Sequence, residues 1–348
     1  MGKAKLNTLS AMQADRILVI RFKSMGDILF TLPAVHALRH NFPNHKITFL
    51  TSREFVPLLS GFRDVDEVLS VDRSALRNGH LLHRVREVCS LIGLLRRKKF
   101  SLAIDLQGYG ETALITRLTG AAQRWGTVYH ALRGFAYTRG IRRDPTMHPA
   151  ESYLLLLKEC GLSVESARNE FVLPANVKVE ASQLFAKLGL NTNKPALFIQ
   201  PFTSSPHKDW PLENYIALAT HWRAAGVQVL FGGGPGELPR LEKVVQAGFP
   251  VSAGAPLLVS GGLTGLCTVV IGGDTGLLHM AAAMNKRVLI LQGPHRYPEK
   301  FYPFRHPEWK LMPPPGAAIS AINLRDVIHA SEAAFAERAS QVAAAVSE

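Results

Sequence analysis

Cysteine is scarce in this chain of 348 residues: Cys89, Cys160 and Cys267 stand far apart in apolar settings. An odd, unclustered set excludes a disulfide framework and a zinc site, and fits reduced structural cysteines in a cytosolic protein. Acidic residues are few as well, 27 Asp and Glu against 40 Lys and Arg, and no carboxylates pair as a metal site needs. His/Glu spacing of the metalloprotease kind is missing. No Gly-Lys-Ser/Thr loop occurs, which excludes a P-loop kinase or ATPase, and no Gly-x-Ser-x-Gly elbow supports a hydrolase. Long apolar runs are lacking too. The uncharged stretch Pro256–Gly273 is broken by Gly261, Gly262, Gly265, Thr264 and Thr268, so it predicts a buried loop, helix and strand and not a membrane span. Met1–Asp15 carries Lys3 and Lys5 without an apolar core before a cleavage site, which argues against secretion. No repeat of fixed period is present, and low complexity is confined to the alanine-rich end.

What is present is a globular composition, 47% hydrophobic, with Leu, Val, Ile and Ala in short blocks. The length predicts two domains of roughly 150–180 residues each. Much of the basic excess lies between Arg73 and Arg143, which favours an anionic partner: nucleic acid, an acidic membrane surface or a phosphorylated substrate.

Arg16–Phe22 reads as a buried strand, followed by the loop Lys23-Ser24-Met25-Gly26-Asp27 and a helix over Ile28–Asn41 with Pro33 in its first turns. Strands at Ile47–Leu50 and Val65–Val71 flank a helix over Glu54–Gly61. A basic helix then runs from Arg73 to Arg96-Arg97-Lys98-Lys99. That cluster is either a solvated helix end or a ligand contact. Phe100–Leu106 is a strand carrying Asp105, before Gln107-Gly108-Tyr109-Gly110 and a helix over Glu111–Thr119. Arg124–Asp144, rich in Arg, Tyr and His, reads as a surface segment, and His148–Cys160 as a helix. Pro174 and Pro195 bracket one polar helix, which places the boundary between domains 1–174 and 175–348.

A second strand and helix series follows: Ala196–Gln200, Pro211–Ala225, Val227–Phe231, Glu237–Ala247, Arg287–Leu291 and a last helix over Leu324–Val346. The predicted fold class is therefore α/β, two Rossmann-like doubly wound domains facing each other across a cleft. Ligands gather at the carboxyl ends of such strands, so the Lys23–Asp27 and Gln107–Gly110 loops are expected at one crevice.

The most informative stretch is Gly272–Ala283. A buried strand leads into it and a Leu/Met/Ala-rich helix leads out, with Asp274 in the N-cap position and Thr275 and Gly276 in the first turn. The unpaired N–H groups and dipole of that turn suit a diphosphate, and His279 reaches the same mouth. Each residue alone also fits an ordinary cap or an ordinary core histidine. The loop Pro201–Pro211 offers hydroxyls and Lys208 to phosphate oxygens, or is a polar connection. Asp27 is likewise a candidate acid or a simple cap. Gly232-Gly233-Gly234-Pro235-Gly236 lacks the Gly-x-Gly-x-x-Gly pattern of dinucleotide enzymes.

Four motifs then occur in order: Met25-Gly26-Asp27-Ile28-Leu29 with Thr31-Leu32-Pro33-Ala34; Asp105-Leu106-Gln107-Gly108; Thr203-Ser204 with Lys208-x-Trp210-Pro211; and Asp274-Thr275-Gly276-x-x-His279. Together they resemble glycosyltransferase family 9, the ADP-heptose:lipopolysaccharide heptosyltransferases of GT-B fold, over about Arg16 to Pro294. The Gln-Gly pair and the Met-Gly-Asp loop lean toward the members that act on the Kdo–lipid A inner core. The resemblance implies Asp27 as catalytic base of an inverting transfer, and Thr203, Ser204 and Lys208 as holders of the donor diphosphate. It implies Glu237 at the ribose, Asp274 at the sugar hydroxyls, and Thr275, Gly276 and His279 completing the donor site.

On the same footing Met25, Gly26 and Gln107 would meet the acceptor, an acidic glycolipid, and Arg96, Arg97, Lys98, Lys99, Arg124 and Arg133 are basic candidates for its charges. No metal or cofactor is expected, the ADP-sugar being a substrate. The expected place is the cytoplasm, in reversible contact with the inner membrane surface, with no nucleic acid partner. The family usually shows Gly-Pro-Thr where this chain has Gly293-Pro294-His295, and the segment 294–315, rich in proline and aromatics, departs as well. Two other readings stay open: another GT-B sugar-nucleotide enzyme, such as an epimerase, and a basic nucleic-acid-binding protein.

Overall fold

The computed structural model describes residues 16–73, 80–294 and 300–346. The leader reading of Met1–Asp15, the first residues of the basic helix and the His295 departure lie outside them. Two compact units make up the chain, Met1–Glu170 and Phe171–Glu348.

The first unit holds six parallel strands: β1 (Arg16–Ile20), β2 (Lys46–Ser52), β3 (Glu67–Val71), β4 (Leu102–Asp105), β5 (Gln123–Val128) and β6 (Arg139–Arg142). Their order is β3-β2-β1-β4-β5-β6. The chain winds outward from β1 and then returns to its other side, so β1 and β4 flank a topological switch point. Ile17, Leu18, Val19 and Ile20 are all buried, as a strand covered on both faces requires.

The expected helix over 28–41 is two helices, α1 (Met25–Leu29) and α2 (Leu32–Asn41). Pro33 has no N–H to return to Leu29, so one continuous helix is not available, and proline takes an early position in the second instead. This break draws Met25, Gly26 and Asp27 out of the expected loop and into a short helix. Later come α3 (Leu81–Arg97), α4 (Gly110–Leu118) and α5 (Pro149–Glu159). The expected helix over 54–61 is instead two 3₁₀ turns, Arg53–Phe55 and Pro57–Gly61.

The segment 124–144, expected on the surface, supplies β5 and β6 with a 3₁₀ turn, Ala131–Ala136, between them. Trp125 is fully buried there, and a Cβ on Gly126 would lie 2.3 Å from the Tyr137 ring. Arg124 in β5 and Arg139 in β6 are half-exposed and Arg142 in β6, the edge strand, is exposed, which hides the strand pattern in the sequence.

The second unit begins with α6 (Ala175–Lys187) and repeats the plan. Its strands are β7 (Ala196–Gln200), β8 (Gln228–Gly233), β9 (Val251–Ala253), β10 (Val269–Gly273), β11 (Arg287–Leu291) and β12 (Lys310–Leu311). Their order, β12-β11-β10-β7-β8-β9, puts the switch point between β7 and β10. The helices are α7 (Leu212–Ala224), α8 (Glu242–Gln246), α9 (Leu257–Leu266), α10 (Gly276–Ala283) and α11 (Leu324–Val346). Trp210 and Trp222 bury their rings and donate to the Ile322 carbonyl and the Ser331 hydroxyl, both at 3.0 Å, which fixes α11 and the turn before it on α7.

β7 and β10 meet closely because Gly272 has no side chain: a Cβ there would stand 2.3 Å from the Gln200 carbonyl oxygen. The neighbour is backbone and cannot rotate away. Gly272→Ala is expected to cost about 1–3 kcal/mol or more by overpacking. A thermal melt of the variant within a degree of the wild type would refute this reading of the contact.

Candidate active site

At the carboxyl end of β1 the chain passes through Arg21 and Phe22 into α1. Three donors converge on one oxygen of Asp27. Arg21 Nη2 pairs with Oδ2 at 2.8 Å, and the Ser24 N–H and hydroxyl each donate to the same atom at 3.1 Å. Among the described residues no donor is given to Oδ1, and the Asp27 side chain is 27% exposed. Burial pushes its pKa up, but the Arg21 charge and the two Ser24 hydrogen bonds outweigh this and hold it below the ordinary carboxylate range. The carboxylate is thus ionised, oriented through one oxygen and open through the other.

Arg21 is itself buried, and its Nη1 donates to the Leu106 carbonyl at 2.8 Å, across the switch point. Tyr153 lies 6.0 Å beneath the guanidinium, and burial pushes its phenol up to about 12, so it stays protonated. Gln107 is fully buried. Its Oε1 accepts from the Phe22 N–H at 2.8 Å, so it braces β4 to the segment between β1 and α1 and shows no surface. Asp105 Oδ1 accepts from the N–H groups of Gln107 and Gly108, both at 2.8 Å, and its Oδ2 from the Tyr137 hydroxyl at 2.7 Å. Burial pushes the Asp105 pKa up against these bonds. Gly108 adopts φ 71°, and its carbonyl accepts from Arg133 Nη1 at 3.0 Å, which places Arg133 at the same carboxyl edge as Asp27.

The other basic candidates are elsewhere. Arg96, Arg97, Lys98 and Lys99 end α3, just before β4, at the amino edge of the sheet. Lys98 pairs there with Glu67, and Arg96 donates to the Leu118 carbonyl at 3.0 Å. Arg124 starts β5 at that edge too and is spent on the carbonyls of Ala121 and Ala136. Periodicity shows that these residues end a helix or start a strand, but not which edge of the sheet they reach.

In the second unit, Asp274 does not cap the helix. Thr275 is the N-cap residue, with φ −133° and ψ 155°, one position later than expected. The extended backbone at Thr275 turns Asp274 back, and its Oδ1 meets His279 Nε2 at 2.9 Å. The Thr275 hydroxyl oxygen is buried at the start of α10 without a hydrogen-bond partner among the described residues. Gly276 opens that helix, whose first-turn N–H groups have no carbonyl ahead of them.

The loop after β7 packs against this unit, since a Cβ on Gly273 would lie 2.3 Å from Thr203 Cγ2 and 3.7 Å from the Lys208 carbonyl. Thr203 is held by its N–H and hydroxyl donating to Asp209 Oδ1, at 2.7 and 2.8 Å. Arg240 pairs with Asp209 Oδ2 at 2.7 Å and lies over the Phe202 ring at 3.7 Å. Glu237 accepts from the Gly234 N–H at 2.7 Å and stands 3.8 Å from Arg240. Thr203 and Glu237 are therefore joined in one brace across the ends of β7 and β8. Ser204 and Lys208 are given no bonding partner for their side chains among the described residues. Arg21, Asp209 and Arg240 were not legible as site residues. Arg21 carries a faint signal, a cation ending an aliphatic strand, whereas Asp209 and Arg240 carry none.

Two six-stranded parallel sheets in 3-2-1-4-5-6 order, each with its polar loops at the switch point, define a two-Rossmann enzyme of the GT-B type. The profile of glycosyltransferase family 9 (heptosyltransferase) matches residues 88–308, and the chain belongs to that family. It is 26% identical over 292 residues to lipopolysaccharide heptosyltransferase 1 of Escherichia coli O18:K1:H7, covering 80% of this chain and 86% of that one. The structure is similar to a family 9 glycosyltransferase from Veillonella parvula DSM 2008, with TM-score 0.81 at 20% identity over 94% and 99% of the two chains. It is also similar to E. coli heptosyltransferase WaaC with ADP-2-deoxy-2-fluoro heptose, with TM-score 0.74 at 22% identity over 91% and 99%. The likeness to these two structures is one of fold.

Proposed function

We propose that this family 9 enzyme moves heptose from ADP-L-glycero-D-manno-heptose to the Kdo–lipid A inner core of lipopolysaccharide, with inversion and without a metal ion. The relatives named above support the substrates. The observation that carries the chemistry is the Asp27 carboxylate, ionised, clamped at Oδ2 and open at Oδ1.

In this reading an acceptor hydroxyl gives its proton to Asp27 Oδ1 as its oxygen attacks the anomeric carbon from the face opposite ADP. The bond from that carbon to the diphosphate oxygen breaks, and ADP leaves with the electron pair. A carboxylate of low pKa suffices because proton transfer follows bond formation at an oxocarbenium-like carbon. Lys208, Ser204, the Thr275 hydroxyl and the first turn of α10 offset the charge that grows on the diphosphate. Thr203 and Glu237 hold that loop in place, Asp274 and His279 form one polar pair toward the sugar, and Gly276 lets the ligand approach. Met25, Gly26 and Arg133 lie on the acceptor side, with Gln107 behind them. The enzyme works at the cytoplasmic face of the inner membrane, in reversible contact with it. Among the described residues no helix is long and apolar enough to cross a membrane.

The test is ADP release from ADP-heptose with a Kdo-terminated lipid A core in the presence of EDTA. Release that needs the acceptor supports the two substrates and the metal-independent transfer, and the anomeric configuration of the product, read by NMR, tests inversion. Release without acceptor, or none until a divalent cation is added, refutes the corresponding part. Lys208→Ala is expected to weaken ADP binding by about tenfold or more, the worth of one charge-assisted phosphate contact. Unchanged affinity in calorimetry would remove Lys208 from the donor site.

A further inference from the structure

The reading above places the acceptor in a membrane and leaves open how the enzyme meets it. The first unit exposes six large apolar side chains among the described residues: Val85, Val88, Tyr109, Leu114, Leu132 and Phe135. All lie on three neighbouring elements, α3, α4 with its N-cap residue, and the turn Ala131–Ala136, and α4 packs against both of the others. Val85 and Val88 are in the first half of α3 and Leu114 is in the second turn of α4. Both helices begin at the carboxyl edge of the sheet, and the turn 131–136 runs from that edge, where Arg133 holds the Gly108 carbonyl, toward the amino edge, where Arg124 holds the Ala136 carbonyl. Leu132 at 89% and Phe135 at 64% exposure are the extremes, on a rigid turn tied down at both ends by backbone hydrogen bonds. Isolated exposed leucines are ordinary, whereas several large apolar side chains exposed on adjoining elements are what an interaction surface needs.

The charge beside this row selects its partner. Between Thr112 and Arg143 the chain has six arginines and no Asp or Glu. Arg124, Arg133 and Arg139 donate to backbone carbonyls and Arg143 lies 4.6 Å from the Tyr129 ring. Among the described residues none of the six is given a carboxylate partner, so their charge is not cancelled within the protein. Of the six, Arg133, Arg142 and Arg143 stand at the carboxyl edge, and apolar side chains beside such cations match the boundary between headgroups and acyl chains of an anionic bilayer.

We infer that Leu132 and Phe135, backed by the exposed apolar residues of α3 and α4, insert into the anionic membrane surface and dock the carboxyl edge of the first unit onto it. β5, which feeds this turn, is two strands from β1, about 10 Å across the sheet. Lys23, Tyr109, Tyr129 and Arg143 bridge that gap as a row of ring and cation contacts. A sugar chain rising from the bilayer past this row reaches Asp27 without leaving the surface. The docking rests on the proposed lipid acceptor, and the experiment separates the two.

The double variant Leu132→Ser, Phe135→Ser is compared with wild type by co-sedimentation with vesicles of phosphatidylethanolamine and phosphatidylglycerol, and with phosphatidylcholine vesicles. Wild type is expected to bind the anionic vesicles, less so in high salt, and the variant to bind about tenfold or more weakly, from loss of two inserted side chains. Its ADP affinity and its turnover of a deacylated, water-soluble acceptor should equal wild type, since neither needs the bilayer. Equal vesicle binding by the two proteins, or no binding by wild type, overturns the inference. An equal loss of turnover on the soluble acceptor also overturns it, by placing the two side chains in the acceptor site. Vesicle binding that depends on Leu132 and Phe135 in an enzyme that releases no ADP with any Kdo–lipid A acceptor sustains the docking while refuting the proposed substrate.

Discussion

Asp27→Ala should lose about 10³-fold in turnover while binding ADP as the wild type does. General-base catalysis contributes about 10²–10⁴-fold, and Asp27 is the carboxylate that Arg21 and Ser24 hold through one oxygen at the end of β1. The residues proposed for ADP all belong to the second unit, so calorimetry with ADP separates loss of chemistry from loss of fold. In the wild type the base is active when ionised. Its pKa lies below the ordinary value of about 3.9, so activity should stay level from neutral pH downward and fall only below about pH 4. Near-normal turnover in the variant would sink the assignment.

Arg21→Met should show the next largest effect, through Asp27. The substitution removes the cation 2.8 Å from Oδ2 and the brace to the Leu106 carbonyl, and it leaves the carboxylate half-buried without its main counter-charge. Burial then raises the Asp27 pKa against the two Ser24 hydrogen bonds alone, so the acid limb of kcat/KM should move to higher pH, which a merely structural residue would not do. Breaking a buried pair from one side costs about 3 kcal/mol, or roughly 6–12 °C in the melting of a unit this size. The stability effect has a definite sign. A carboxylate with a depressed folded-state pKa stabilises the fold above its unfolded value and loses that contribution as pH falls through the folded one. The wild type should therefore lose stability below about pH 4, and the variant should lose less there. Arg21→Lys should restore part of both effects. An unshifted acid limb in Arg21→Met would show that Arg21 does not tune the base.

How much of this was legible in the sequence follows from how local each feature is. Runs such as Ala196–Gln200 and Arg287–Leu291 match β7 and β11 residue for residue, because a strand buried on both faces must be apolar throughout. Asp27, Lys208 and the Asp274–His279 stretch stood out because polar residues at strand ends followed by helices are read from neighbours in the chain. Strands β5 and β6 did not stand out, since arginines at half-exposed and exposed positions break up their apolar pattern. Nor did the split of the first helix, where one missing N–H at Pro33 outweighs a good apolar period.

By itself the sequence determined the class of fold and the family, and singled out the residues proposed for the chemistry, because burial pattern, proline and glycine positions and short motifs act over a few residues. Only the tertiary structure decided that Arg21 and Ser24 clamp one oxygen of Asp27, and that Asp209 and Arg240 lock the Thr203 loop. It also decided that the Arg96–Lys99 cluster ends at the far edge of the sheet while Arg133 reaches the near one. Arg21, Ser24 and Asp27 are close in the chain, but Lys98 with Glu67, Arg133 with Gly108 and Arg240 with Asp209 join residues 25–31 positions apart. Strand order and the winding of the chain through two switch points create them, and no local pattern of side chains encodes that order.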